Sequence, residues 1–201
     1  MAQSIFDTLA MQAFRSGIQS RTPESEEWFA DKVKDLQMPS RQQLLKDDAL
    51  KPVQKPKIGE MYFYFYDPKT KETLPYYDRF PLTVMVGPAP GGFYGLNLHY
   101  LHPVARARLL NELLKLAPKK GIDDTTRLTR LRYDLLKGVQ KYKEFKPCFK
   151  HYLLDHVESN FAKVPMTDWE TAVFLPVQQF KKKNAQTVWA ESRKIYRGRN
   201  A

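Results

Sequence analysis

Apolar positions follow two different periods along this chain, and the change of period divides it. Ile5, Phe6, Leu9, Ala10, Ala13 and Phe14 recur at three- and four-residue intervals, which predicts a helix with one apolar face. Thr22-Pro23 supplies a cap and a first-turn proline ahead of acidic residues, and Trp28, Phe29, Val33 and Leu36 form the stripe of a second helix. Ser40 is placed to cap a third, short one. Lys51-Pro-Val-Gln-Lys-Pro-Lys57 reads as an extended linker, because its two prolines exclude helix.

The next stretch is strand-like. Met61-Tyr-Phe-Tyr-Phe-Tyr66 is wholly strand-prone and ends at Asp67-Pro68. Leu82-Thr-Val-Met-Val86 is a second strand, closed by Gly87-Pro-Ala-Pro-Gly-Gly92, and Phe93 to Leu101 is a third. Gly95 inside it predicts a bulge or a close backbone approach. Asn97 and His99 share one strand face, suited to bridging loop carbonyls or meeting a partner. Leu74-Pro75 and Phe80-Pro81 force extended backbone, with Tyr76, Tyr77 and Phe80 placed to cover the sheet. The expectation is an α+β fold: a small antiparallel, aromatic-rich meander or barrel over about 58–101, flanked by N-terminal and C-terminal helices.

Helical spacing returns after His102-Pro103. Leu109, Leu110, Leu113, Leu114 and Leu116 share a face, and Pro118 to Gly121 stop that helix. A second runs from about Asp124 to Lys137 on Leu128, Leu131 and Leu135. A third spans about Pro147 to Val157, with Phe149, Tyr152, Leu153 and His156 on one stripe, and a short one follows Thr167. The last carries Ala185, Val188, Trp189, Ser192, Ile195 and Tyr196. The chain thus reads as N-terminal helices and Pro/Lys linker (1–57), a β core with its following helix (58–117), and a basic helical region and tail (118–201).

Charge sharpens this division. The 201 residues carry a formal net charge of +11, with 42% hydrophobic and 13% aromatic residues, as in a folded protein. By stretch the net is +1 for 1–57, −1 for 58–102, +8 for 103–150, −3 for 151–177 and +6 for 178–201. The excess therefore sits in two basic stretches, which draw the chain towards polyanions without specifying its fold. No apolar run approaches the roughly 20 residues that span a bilayer. The start, Met1-Ala-Gln-Ser-Ile-Phe, lacks a secretory pattern, so a reducing compartment or a particle assembled there is expected.

The candidate chemistry is weak where catalysis is concerned. A zinc site needs four converging ligands. His99, His102, Cys148, His151 and His156 have suggestive spacings, but the helical wheel sets His151 and His156 on different sides. Asp134 with Glu144-Phe-Lys146 matches the letters of a carboxylate–lysine nuclease but lies in a helical region. There is no Gly-x-Ser-x-Gly and no phosphate loop. Cys148 follows a proline at a helix start, which can activate a thiol, though a buried structural thiol fits better. Neither an enzyme nor a cofactor is expected, and a small-molecule substrate is disfavoured.

The basic stretches are the stronger signal. Lys119, Lys120, Arg127, Arg130, Arg132, Lys137, Lys141, Lys143, Lys146 and Lys150 stand among Tyr133, Tyr142 and Phe145. Lys181, Lys182, Lys183, Arg193 and Arg197 mark the tail. These residues suit phosphate contacts with base stacking, or an acidic protein surface.

Met61-Tyr-Phe-Tyr-Phe-Tyr-Asp-Pro-Lys69, Leu74-Pro-Tyr-Tyr-Asp-Arg-Phe-Pro-Leu82 and Gly92 to Pro103 together resemble a pattern of structural and morphogenesis proteins of large tailed bacteriophages. The resemblance implies a virion component of the tail, baseplate or neck, docking on other virion proteins and assembled in the host cytoplasm. The alternative is a DNA-binding accessory protein for packaging, DNA-end protection or recombination. A nuclease ranks third.

Overall fold

The computed structural model of the chain describes residues 4–115, 133–135, 137–138, 141–143 and 145–197. Each of the first three helices begins where a hydroxyl side chain meets otherwise unpaired amides. Ser4 accepts from the N–H groups of Phe6 and Asp7 ahead of α1 (Ile5–Arg15). Reciprocal capping boxes join Thr22 to Ser25 at α2 (Pro23–Lys32) and Ser40 to Gln43 at α3 (Arg41–Leu44). Ile5, Phe6, Leu9 and Ala13 are buried as their spacing predicts, whereas Phe14, at the margin of the stripe, is 84% exposed.

Six strands form one antiparallel sheet: β1 (Lys51–Val53), β2 (Met61–Phe63), β4 (Leu82–Ala89), β5 (Gly92–Asn97), β6 (Phe149–Leu153) and β7 (Phe161–Val164). Their order is β1-β7-β2-β4-β5-β6. β3 (Tyr77–Asp78) pairs with β8 (Phe180–Lys181) in a separate ribbon. The expected meander is present as β2-β4-β5. β1 and β6 lie at opposite ends of the sheet, so it is open and not a closed barrel.

The aromatic run works by alternation. Met61 and Phe63 face the main core, whereas Tyr62, Tyr64 and Tyr66 turn to the other side and cluster with Phe93, Tyr152 and Phe161. The irregularity expected at Gly95 lies beside it, in β4, and the close approach there is by a side chain. The β4–β5 register shifts between Met85 and Gly87, and a Cβ on Gly95 would stand 2.2 Å from Thr83 Cγ2.

Two readings need correction. Residues 147–157 do not form a helix. α5 (Phe145–Cys148) stops at Cys148, and β6 then pairs with β5, setting Tyr152 opposite Phe93. Phe149, Tyr152 and Leu153 satisfy helical spacing, but so short an apolar run carries no decisive period, and pairing with a neighbouring strand prevails. The Lys51–Val53 part of the supposed linker is extended as expected, yet it is an edge strand on β7, a position that tolerates Pro52.

Helices cover one side of the sheet. α6 (Trp169–Phe174) buries all six of its residues and packs against α1, α2 and α4 (Pro103–Lys115). Buried Glu170 accepts from Arg21 N–H and from the Ser25 hydroxyl, fastening the N-terminal helices. Leu109, Leu110 and Leu113 of α4 are buried as expected. Leu116, the stop at Pro118–Gly121 and most of the helix expected at 124–137 lie outside the described residues. On α7 (Ala185–Arg197), Val188 and Ser192 are buried, but Ile195 is 50% exposed. The main core draws on side chains from Ile5 to Val188. Among the described residues no helix is long and apolar enough to cross a membrane.

Candidate nucleic-acid interface

Described parts of the two basic stretches meet. α5, from the first, packs against α7, from the second, and Arg106 of α4 lies 5.5 Å from the ring centroid of Trp189 on α7. Lys119, Lys120, Arg127, Arg130 and Arg132 lie outside the described residues. Lys137, Lys141, Lys143, Lys181, Arg193 and Arg197 are exposed, and Lys141 stands over the Tyr142 ring at 5.3 Å.

The other two cations have structural work. Lys182 Nζ donates to the carbonyls of Lys71, Glu72 and Leu74 at 2.7, 2.8 and 2.9 Å, clamping the 68–77 loop. Its φ of +69° is uncommon for a residue with a Cβ, and the clamp helps to hold it there. Lys183 pairs with Glu191 at 2.6 Å and also stands 4.9 Å over the Tyr76 ring.

That loop forms one wall of a cleft of about 450 Å³ lined by Tyr66, Tyr76, Tyr77, Tyr100 and Tyr152, with Lys69, Lys150 and His151 around them. Cations and rings alternate across it. Lys150 Nζ lies 4.1 Å over Tyr100, whose centroid is 5.9 Å from that of Tyr76, over which Lys183 stands. Burial lowers the Lys150 pKa against the pull of Cys148, and among the described residues no carboxylate pairs with this ammonium. Burial raises the Tyr76 and Tyr100 phenols, so their rings stay neutral. Lys150 stood in a basic segment of the sequence, but its juxtaposition with Tyr100 and Tyr76 joins residues distant along the chain.

Asp78 also lines the cleft, at its floor, and is almost wholly buried. It accepts from His99 Nδ1 at 2.8 Å, Asn97 Nδ2 at 3.2 Å and the N–H groups of Phe80 and Gln179 at 3.0 Å. Asn97 and His99 therefore serve a carboxylate, not the loop carbonyls expected, and His99 lies in a 3₁₀ turn, Leu98–Tyr100, after β5. Arg106 is fully buried. It donates to the carbonyls of Leu101 and Val173 at 2.8 and 3.1 Å, which removes one basic residue from any phosphate-facing surface.

The remaining histidines take separate partners. His151 Nε2 meets the Pro90 carbonyl, His156 Nδ1 meets that of Asp67, and the His102 ring packs on Trp189. Among the described residues no group of three or more His, Cys, Asp or Glu is placed to hold a metal. Burial pushes the Cys148 thiol up to about 12, against Lys150 and Arg106, so this helix-end cysteine is not an activated nucleophile. Asp134 lies in a helical stretch and Glu144 lies outside the described residues.

A family model described as "Phage T4 terminal DNA protecting protein" matches residues 3–196, which supports a phage setting and reaches far beyond the 58–103 segment. No curated protein and no solved structure matches the chain.

Proposed function

The chain belongs to the phage T4 terminal DNA protecting protein family, and on that premise we propose that it binds the ends of linear phage DNA and shields them from degradation. The family match over residues 3–196 is the observation that carries this reading. The net charge of +11 supports it, since phosphate contacts supply most of the affinity of a protein for DNA. The protein acts by occupancy and not by catalysis: a bound terminus is closed to an exonuclease, which must engage that terminus. The family description speaks of DNA ends and not of a tail, baseplate or neck, so the DNA-binding reading takes precedence over the structural one. A protein seated on packaged ends would travel in the virion, assembled in the host cytoplasm beside other virion proteins.

Exonuclease digestion of linear duplexes of several lengths tests this. Purified protein is expected to prolong their survival once it matches the number of ends, whatever the length of the DNA. Protection that requires protein in proportion to length, as in coating, or no protection at all, would overturn it.

A further inference from the structure

The tyrosine–lysine cleft has the chemistry of a site for one particular part of a DNA end. Tyr76 and Tyr77 are half-buried, with Tyr100 and Tyr152 more deeply set, and the cleft is concave, about 450 Å³ in volume. Nucleobases stack on such rings with little regard to sequence, because every base has a π-face. A base still paired within a duplex stays stacked on its neighbour. One that is already unpaired enters a pocket at the lowest cost. Exposed Lys69 stands at the cleft and Lys150 within it, so positive charge is available for the phosphates that accompany a base. The site is also built to keep its shape. Lys182 clamps the 68–77 loop through three carbonyls, and β3 is paired with β8.

We infer that this cleft takes an unpaired nucleotide at the terminus of DNA, stacking its base on Tyr76 and Tyr77 and meeting its phosphate with Lys69 and Lys150. The inference rests on the end-binding reading and adds to it a preferred form of end: one with a single-stranded overhang or a frayed final pair. The basic helices supply affinity that is indifferent to sequence, and the cleft supplies recognition of the terminus.

Fluorescence anisotropy with the full chain tests it, using labelled duplexes of equal length that end either blunt or in a short unpaired overhang. The overhang is expected to bind roughly tenfold tighter, as stacking of a base on an aromatic side chain implies. Tyr76→Leu and Lys150→Met keep much of the side-chain volume and are expected to reduce that preference severalfold. A wild-type protein that prefers linear over circular DNA but treats both kinds of end alike would overturn the cleft assignment and leave the end-binding reading standing. Circular and linear DNA competing equally would overturn the end-binding reading itself. Crosslinking of unsubstituted protein to an overhang ending in 5-iodo-dU guards against variants that fail to fold. Attachment at Tyr76, Tyr77 or Tyr100 is expected, and attachment only outside the cleft would sink the proposal.

Discussion

His99 gives the molecule an acid-sensitive point. Its Nδ1–H donates to Asp78, which leaves Nε2 buried and without a hydrogen-bond partner among the described residues. Burial lowers the pKa of this ring against the pull of Asp78, and Arg106 and Arg41 act in the same direction as burial. The unfolded chain takes up a proton near pH 6.5 that the folded chain resists, so stability declines as pH falls below that value. Burial alone would raise the Asp78 carboxyl. His99 and the amides of Gln179 and Phe80 outweigh it and hold the group below its ordinary range. The stability contributed by Asp78 is present above the unfolded value of about 4 and is lost as pH drops through the lower folded value. Urea unfolding midpoints are accordingly expected to fall between pH 7 and pH 5 and to fall again below pH 4. A midpoint that rises on acidification would contradict this account of the pair.

Among the elements, the β5–β6 pairing depends on a glycine for lack of space. A Cβ on Gly92 would stand 1.8 Å from the Tyr152 carbonyl oxygen, and that obstacle is backbone, which cannot swing aside. Gly92→Ala must therefore push β6 away from β5 and disturb the packing of Tyr152 on Phe93. A loss of roughly 3 kcal/mol is expected from such overpacking, read as a lower denaturant midpoint. Unchanged stability would mean that the two strands lie farther apart. The same pairing explains why the 147–157 segment misleads when read locally. Its alternation is too short to signal a strand, and the partner that makes it one lies more than fifty residues earlier.

At the scale of the molecule, charge and fold are divided along the chain but joined in space. The aromatic sheet segment at 58–102 is almost neutral, while α5 of the +8 stretch packs against α7 of the +6 stretch. Binding to DNA ends should then be strongly electrostatic. Raising salt from roughly 50 to 200 mM is expected to weaken it at least about tenfold, through counterion release. Arg193 and Arg197 are exposed on α7, and on the proposed end-binding reading Arg193→Glu with Arg197→Glu should weaken binding to all DNA forms together, as expected of contacts to phosphates rather than bases. Salt-insensitive affinity would exclude this surface as the principal contact.

The sequence by itself determined the α+β class, the capped N-terminal helices, the β2-β4-β5 meander and the location of the excess charge. Each depends on local spacing or a neighbouring residue: Thr22 before Pro23, Ser40 before α3, alternating aromatics from Met61 onward. Tertiary structure decided which cations remain available and where the rings gather. Lys182 reads as a phosphate ligand in one dimension, but carbonyls of a distant loop engage it, and Arg106, which adds to the charge of the 103–150 stretch, is likewise taken up by a distant carbonyl. Lys150, Tyr100, Tyr76 and Lys183 come from separate parts of the chain, and their alternation exists only once β6, the 3₁₀ turn, the clamped loop and the segment after β8 are packed together. Periodicity records which face of an element is apolar; it holds no information about which distant face will meet it.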